Sequence, residues 1–146
     1  MFITFGRYNF VLIQVTKDLS EAPHNVFHIT KSGDVLQYGD RIPAVWVSKT
    51  YIQFRSAVSG IADYGQNYNF NLNQWYHFEI KQEENSNSEI IYSIGMDGTT
   101  VHEVVNTLPQ RFKEVTLYAS DPWYPSFATF GELKNLNIVN LDKYPA

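Results

Sequence analysis

The sequence predicts an all-β fold: two antiparallel sheets stacked as a β-sandwich. Three observations carry that expectation. Apolar residues recur with period two in run after run. Val, Ile, Thr, Tyr and Phe fill those runs, as a pleated, half-buried surface prefers. Short turn signals separate them, and no long stretch has helical spacing. Phe78 and Ile80 alternate with His77, Glu79 and Lys81; Ile90, Tyr92, Ile94 and Met96 alternate with Ser93, Gly95 and Asp97; Ile52, Phe54 and Val58 alternate with Gln53 and Arg55.

Taken in order, strands are expected at 8–16, 26–30, 35–38, 42–48, 51–59, 75–82, 90–96, 99–106, 112–119 and 131–141. The opening segment Met1-Phe2-Ile3-Thr4-Phe5-Gly6-Arg7-Tyr8-Asn9-Phe10 is broken by polar residues, so it reads as strand and not as a signal peptide. Ser32-Gly33-Asp34 separates the second strand from the third, and Gly39-Asp40 separates the third from the fourth. The residues from Gly60 to Asn73, rich in amides, read as a long connection. Trp75 opens a strand whose inward residues are Tyr76 and Phe78. The polar run from Glu83 to Glu89 reads as a solvated hairpin loop. Asp97-Gly98 between two alternating runs is a type I′ hairpin signal. Two prolines make Ser120-Asp121-Pro122-Trp123-Tyr124-Pro125-Ser126-Phe127-Ala128-Thr129-Phe130 a loop, since proline cannot pair inside a sheet.

A chain of 146 residues fits one domain, 1–146, with length for a real core. Eleven basic against 15 acidic residues, net −4, gives no nucleic-acid footprint. The absence of cysteine excludes disulfides and thiolate metal sites. No apolar run approaches the roughly 20 residues that a membrane-spanning helix needs.

Asn73-Gln74-Trp75-Tyr76-His77-Phe78-Glu79-Ile80 resembles the strand of laminin-G and pentraxin-like domains in which a Trp opens a Trp-His-x-Val type run. The hairpin from Ile91 to Val101, with its Asp97-Gly98 turn, is similar to the one that follows there. Val115-Thr116-Leu117-Tyr118-Ala119-Ser120-Asp121-Pro122-Trp123-Tyr124-Pro125, followed by Gly131-Glu132-Leu133-Lys134-Asn135-Leu136, resembles a variant of invertebrate extracellular proteins labelled farnesoic acid methyltransferase-like. The resemblance covers about the last half of the chain and extends to Tyr38-Gly39-Asp40-Arg41-Ile42-Pro43. It implies a concanavalin A-like jelly roll that binds glycans or extracellular proteins, hence a secreted protein whose leader is not visible in this chain. The lack of cysteine departs from many disulfide-bonded relatives.

The loop 120–130 is the first candidate site, because it puts Trp123 and Tyr124 beside the carboxylate of Asp121. Alternating strand direction groups it at one end of the sandwich with Asp97-Gly98 and the connections 60–73, 38–41 and 17–24. The connections 49–50, 83–89 and 107–111 fall at the other end. The expected glycan-binding rim is therefore Asp121, Trp123, Tyr124, Asp63, Tyr64, Gln66 and Asn67. Carboxylates and amides pair with sugar hydroxyls, and an aromatic face packs on the C–H face of a pyranose. Galactose-type sugars present such a face continuously. No cofactor is expected; the alternative is Ca²⁺ held by Asp63, Asp97 and Asp121, although Ca²⁺ asks for six or more oxygens.

Plainer readings stand beside these. Trp123 and Tyr124 can fold back onto the sandwich, and Asp121 can close an Asx-turn before Pro122. Trp46, alternating with Ala44 and Ser48, reads as core, and Trp75 as structural. Arg41 and Arg55 suit acidic sugars or surface ion pairs. His24 and His28, four apart on a strand, do not converge on a metal.

Catalysis is not expected: no Glu-x-Asp-x-Glu run, nucleophile elbow, phosphate loop or His-Glu-x-x-His is present, and α/β alternation for a methyl-donor site is missing. The sequence thus points to a non-catalytic extracellular lectin, with glycans or glycoproteins as partners. The alternative is a protein-interaction or adhesion module of laminin-G type. Unpaired edge strands offer either one a route to homo-oligomers.

Overall fold

The computed structural model describes residues 2–3, 6–12, 22–69, 71–124 and 131–140, with side chains described for 22–69, 71–124 and 131–138. Among these residues the strands are β1 Phe2–Ile3, β2 Gly6–Leu12, β3 His24–Thr30, β4 Ala44–Val47, β5 Tyr51–Val58, β6 Ile61–Asn69, β7 Tyr76–Glu84, β8 Ile90–Met96, β9 Thr99–Val105, β10 Phe112–Lys113, β11 Thr116–Tyr118 and β12 Leu133–Asn140. One sheet runs β11-β3-β4-β5-β6 and the other β12-β2-β7-β8-β9, all pairs antiparallel; β1 and β10 form a short ribbon. The all-β, two-sheet sandwich is therefore as the alternation predicts. The described residues contain no helix long and apolar enough to cross a membrane.

The core lies between the sheets. Phe27, Ile29, Val45, Val47, Ile52 and Phe54 from the first sheet meet Tyr76, Phe78, Ile80, Tyr92 and Ile94 from the second. The rings of Phe54 and Phe78 meet edge to face at 5.2 Å, joining the layers at the centre. Tyr76 and Phe78 point inward, as expected of the strand after Trp75.

Three element expectations fail, each for a physical reason. The run 112–119 is split, because Glu114 takes φ 55° between β10, paired with β1, and β11, paired with β3. The stretch 35–38 is not a strand. It belongs to a folded loop, 31–41, which Asp40 closes on itself. The buried Asp40 side chain accepts from the Ser32 hydroxyl at 3.1 Å, the Gly33 N–H at 3.0 Å and the Gln37 N–H at 2.8 Å. These local bonds compete with a sheet ladder and win.

The supposed connection 60–73 is mostly strand β6. Ser59-Gly60 is a two-residue turn with both φ positive, 52° and 82°, like the turn Asp97-Gly98 at 50° and 83°. Strand β6 is polar because one of its faces is open; Tyr64 and Tyr68 on the other face pack against the core. Recognising this strand regroups the loops. The Ser59-Gly60 turn lies with the segment after β9, where the Ser59 N–H donates to Asn106 Oδ1 at 2.8 Å and the Tyr38 hydroxyl donates to the Leu108 carbonyl at 2.9 Å. Asp97-Gly98 sits instead by the start of β7, where Asp97 Oδ1 accepts the His77 N–H at 2.8 Å. The expected strand residues 13–16 and 141, the connection residues 17–21, and Pro125 to Phe130 of the aromatic loop lie outside the described residues.

Candidate functional site

The site is built on the face of the β11-β3-β4-β5-β6 sheet turned away from the core. Register aligns Asn25 with Trp46, His28 with Ala44, Trp46 with Gln53, Ala44 with Arg55, Gln53 with Asn67 and Arg55 with Gly65. Side chains on a strand alternate between faces, so these residues share the outer one. Trp46 is buried but is not part of the core between the sheets. Its ring lies under the Arg41 guanidinium, 4.5 Å from the ring centroid, and meets His28 edge to face at 5.7 Å. The expectation that Trp46 is a core residue is corrected: the 31–41 loop, folding back over the sheet, is what buries it.

Arg41 ties that loop to the sheet. Its Nη2 donates to Asp34 Oδ1 at 2.9 Å, its Nε to the Asp34 carbonyl at 3.0 Å and its Nη1 to Asp63 Oδ1 at 2.6 Å. Asp63 Oδ2 lies 3.8 Å from Arg55 Nη1. Next along the face, the Gln53 amide donates to Asn67 Oδ1 at 3.1 Å.

The aromatic loop lies across this same face. Asp121, 2% exposed, anchors it: its N–H donates to Asn25 Oδ1 at 2.9 Å, and its Oδ1 accepts the Tyr124 N–H at 3.0 Å. Beneath the loop, His28 Nε2 donates to the Asp40 carbonyl, while Nδ1 stands 3.6 Å from Asp121 Oδ2. Trp123 covers His28 at 5.1 Å between ring centroids and meets Tyr118 edge to face at 5.5 Å. The Tyr124 hydroxyl donates to Asp34 Oδ2 at 2.7 Å, and its ring remains 44% exposed. That bond to Asp34 holds the Tyr124 phenol above its ordinary pKa, because a phenolate would lose the bond and face a carboxylate. Between Trp123 and the loop residues Ser32 to Gln37 opens a cavity of about 590 Å³. Leu36, 91% exposed, stands in its lining.

The expected rim residues are thus only partly gathered. Trp123 and Tyr124 meet the 31–41 loop, and Asp63 joins them through Arg41 and Asp34. Asn67 lies on the same sheet face beside Gln53. Asp121 is corrected from a surface ligand to a buried anchor closing the turn. Tyr64 and Gln66 point to the inner side of β6, where the Tyr64 hydroxyl meets His102 Nε2 at 2.9 Å and Gln66 Nε2 donates to Tyr64 at 3.5 Å. Burial holds the His102 pKa below its usual value, so the neutral ring is favoured there.

The alternative Ca²⁺ set is also not assembled. Asp63 serves Arg41, Asp97 its own hairpin turn and Asp121 its loop; among the described residues no three of His, Asp or Glu converge as a metal site requires. Sequence reasoning missed Asp34 and Gln53 altogether. The signal for Gln53 was its outward position opposite β6, readable only once β6 is seen as a strand.

This geometry frames the comparisons with known proteins. No family model and no characterised protein sequence matches the chain. Solved structures do share its shape. An endo-β-1,4-glucuronan lyase from the fungus Trichoderma reesei superposes with a TM-score of 0.59 at 12% identity, over 93% of this chain and 68% of the lyase. A SAP-like pentraxin from Limulus polyphemus gives 0.58 at 11% identity, over 94% of this chain. The botulinum neurotoxin serotype G binding domain gives 0.59 at 12% identity. The chain spans 64% of the pentraxin and 32% of the neurotoxin domain. The fold is thus a concanavalin A-like sandwich, a class whose architecture carries several unrelated activities.

Proposed function

We propose that the chain is a non-catalytic, extracellular carbohydrate-binding module of the laminin-G and pentraxin-like kind, with the loop-covered sheet face as its glycan site. One observation carries the reading. Trp123 lines a cavity of about 590 Å³ together with the 31–41 loop, and the half-exposed ring of Tyr124 stands beside it, its hydroxyl anchored to Asp34. A rigid aromatic surface next to fixed polar groups is what a sugar ring requires: an apolar plate for its C–H face and hydrogen-bond partners for its hydroxyls. The lean towards galactose-type sugars rests on that plate. The fold alone does not decide against catalysis, since a lyase shares it; the non-catalytic reading rests on the pairing of Asp34 and Asp63 with Arg41 and the burial of Asp121.

A glycan array on the intact protein tests the proposal. Binding above background that Trp123→Ala reduces about tenfold, the worth of one aromatic stacking contact plus its buried area, is the expected outcome. Absence of binding to any glycan sinks it. Leu36 favours a second reading, a protein-interaction module. An almost fully exposed leucine beside Trp123 resembles the anchor of a protein hot spot more than a sugar contact. Under that reading Leu36→Ser abolishes capture of a protein partner and leaves glycans unbound.

A further inference from the structure

Arg55 is a cation held in place and left largely unspent. It projects from β5 directly opposite Gly65 of β6. A Cβ at position 65 would lie 2.1 Å from Arg55 Nη1, 2.5 Å from Cζ and 2.8 Å from Nε. The guanidinium therefore lies over Gly65, in the space any other side chain would fill. Gly65 does not occupy the left-handed region that would itself demand glycine. The close approach of Arg55 is what the missing side chain permits.

The hydrogen bonding of Arg55 is sparse. Among the described residues it makes one long hydrogen bond, Nη1 to the Asp63 carbonyl at 3.5 Å, and a loose ion pair with Asp63 Oδ2 at 3.8 Å. Asp63 gives its nearer oxygen to Arg41 at 2.6 Å. A guanidinium carries five N–H donors, and among the described residues none accepts from Nε or Nη2. The side chain is 27% exposed. Arg41, by contrast, spends three donors and is more deeply covered. Beside Arg55, the Gln53–Asn67 pair uses Gln53 Nε2 and Asn67 Oδ1, so among the described residues Gln53 Oε1 and Asn67 Nδ2 have no partner.

Resting on the reading of this face as a saccharide site, we propose that Arg55, lying over Gly65 beside Gln53 and Asn67, is a carboxylate subsite. The ligand class is then an acidic saccharide bearing a uronate-type carboxylate. A planar guanidinium fork matches a planar carboxylate with two parallel charge-assisted bonds, a fit that an ammonium lacks. Arg41 and Arg55 balance Asp34 and Asp63, so the preference comes from this geometry and not from net charge.

Calorimetric titration with matched sugars tests it: galactose against galacturonate, and glucose against glucuronate. The parent is expected to bind the acid about tenfold more tightly than its neutral partner, the worth of one charge-assisted hydrogen bond. Gly65→Ala keeps the charge but evicts the guanidinium, and the clash is with the far end of a flexible side chain, so the fold survives. It is expected to erase the preference for the acid, with the protein still folded. Arg55→Lys, which keeps the charge and loses the fork, is expected to shrink the preference several-fold. Equal affinity for acid and neutral sugar in the parent, or a preference that survives Gly65→Ala, overturns the Arg55 assignment and leaves the saccharide reading intact. If the parent binds neither sugar, both readings fall.

Discussion

Replacing Asp40 tests how the site is supported. Asp40 lines the candidate cavity and closes the loop that carries Asp34 and Arg41. Three donors end on its side chain, at 2.8 to 3.1 Å. Hydrogen bonds to a charged acceptor contribute about 1.5–3 kcal/mol each, and an orphaned buried donor costs about 1–3 kcal/mol. Asp40→Asn keeps Oδ1 for Ser32 and Gly33 but turns an amide NH₂ towards the Gln37 N–H. One bond is lost and two lose their charge assistance, for about 2–3 kcal/mol. Asp40→Ala loses all three and strands two backbone amides, for at least about 4.5 kcal/mol. In a domain of this size a loss of 1 kcal/mol lowers Tm by about 2–4 °C, so the Asn variant is expected to melt about 4–12 °C lower. Urea unfolding is the assay: the midpoint falls at unchanged slope. Both variants within about 0.5 kcal/mol of the parent, the scatter of ordinary surface substitutions, would refute the reasoning that Asp40 organises the loop.

Gly39→Ala probes the same loop beside Asp40. Gly39 has φ 108°, and an added Cβ would stand 2.5 Å from the buried Phe112 ring, so a stability loss above about 2 kcal/mol is expected in urea unfolding. Acidification addresses His102. Its pKa is lowered in the fold, so its contribution is present above the unfolded value near 6.5 and is lost as pH falls through the lower folded value. Unfolding midpoints at pH 7.5 and 5.5 should therefore drop more for the parent than for His102→Asn; equal drops would contradict the assignment.

The sandwich was legible because its inner faces obey a simple period. The runs around Phe54, Phe78 and Tyr92 bury every second residue, and a hairpin turn with two left-handed residues announces itself as Asp97-Gly98. Strand β6 escaped because alternation shows only where one face is apolar. Its inward residues Tyr64, Gln66 and Tyr68 are polar-tipped, and its outward residues Asp63, Gly65, Asn67 and Asn69 look like loop. The Ser59-Gly60 turn was a usable signal, of the same kind as Asp97-Gly98. The loop 31–41 was misread for the opposite reason. Val35, Leu36 and Tyr38 imitate a strand, whereas the decisive group is Asp40, whose bonds to residues 3 to 8 positions back leave no trace in periodicity. Trp123 and Tyr124 were found by composition, but their neighbours depended on the strand count, and Asp121 could not be known as buried before Asn25 was seen beneath it.

The three tryptophans stand in three different electrical settings. Trp46 is sealed under the Arg41 guanidinium, Trp75 lies part-exposed with the Lys134 ammonium 3.9 Å from its ring centroid, and Trp123 rests on the imidazole of His28. Emission from this chain is therefore a sum of three distinguishable reporters. Single-tryptophan versions would follow the covering loop, the other sheet and the candidate cavity separately, without any attached dye.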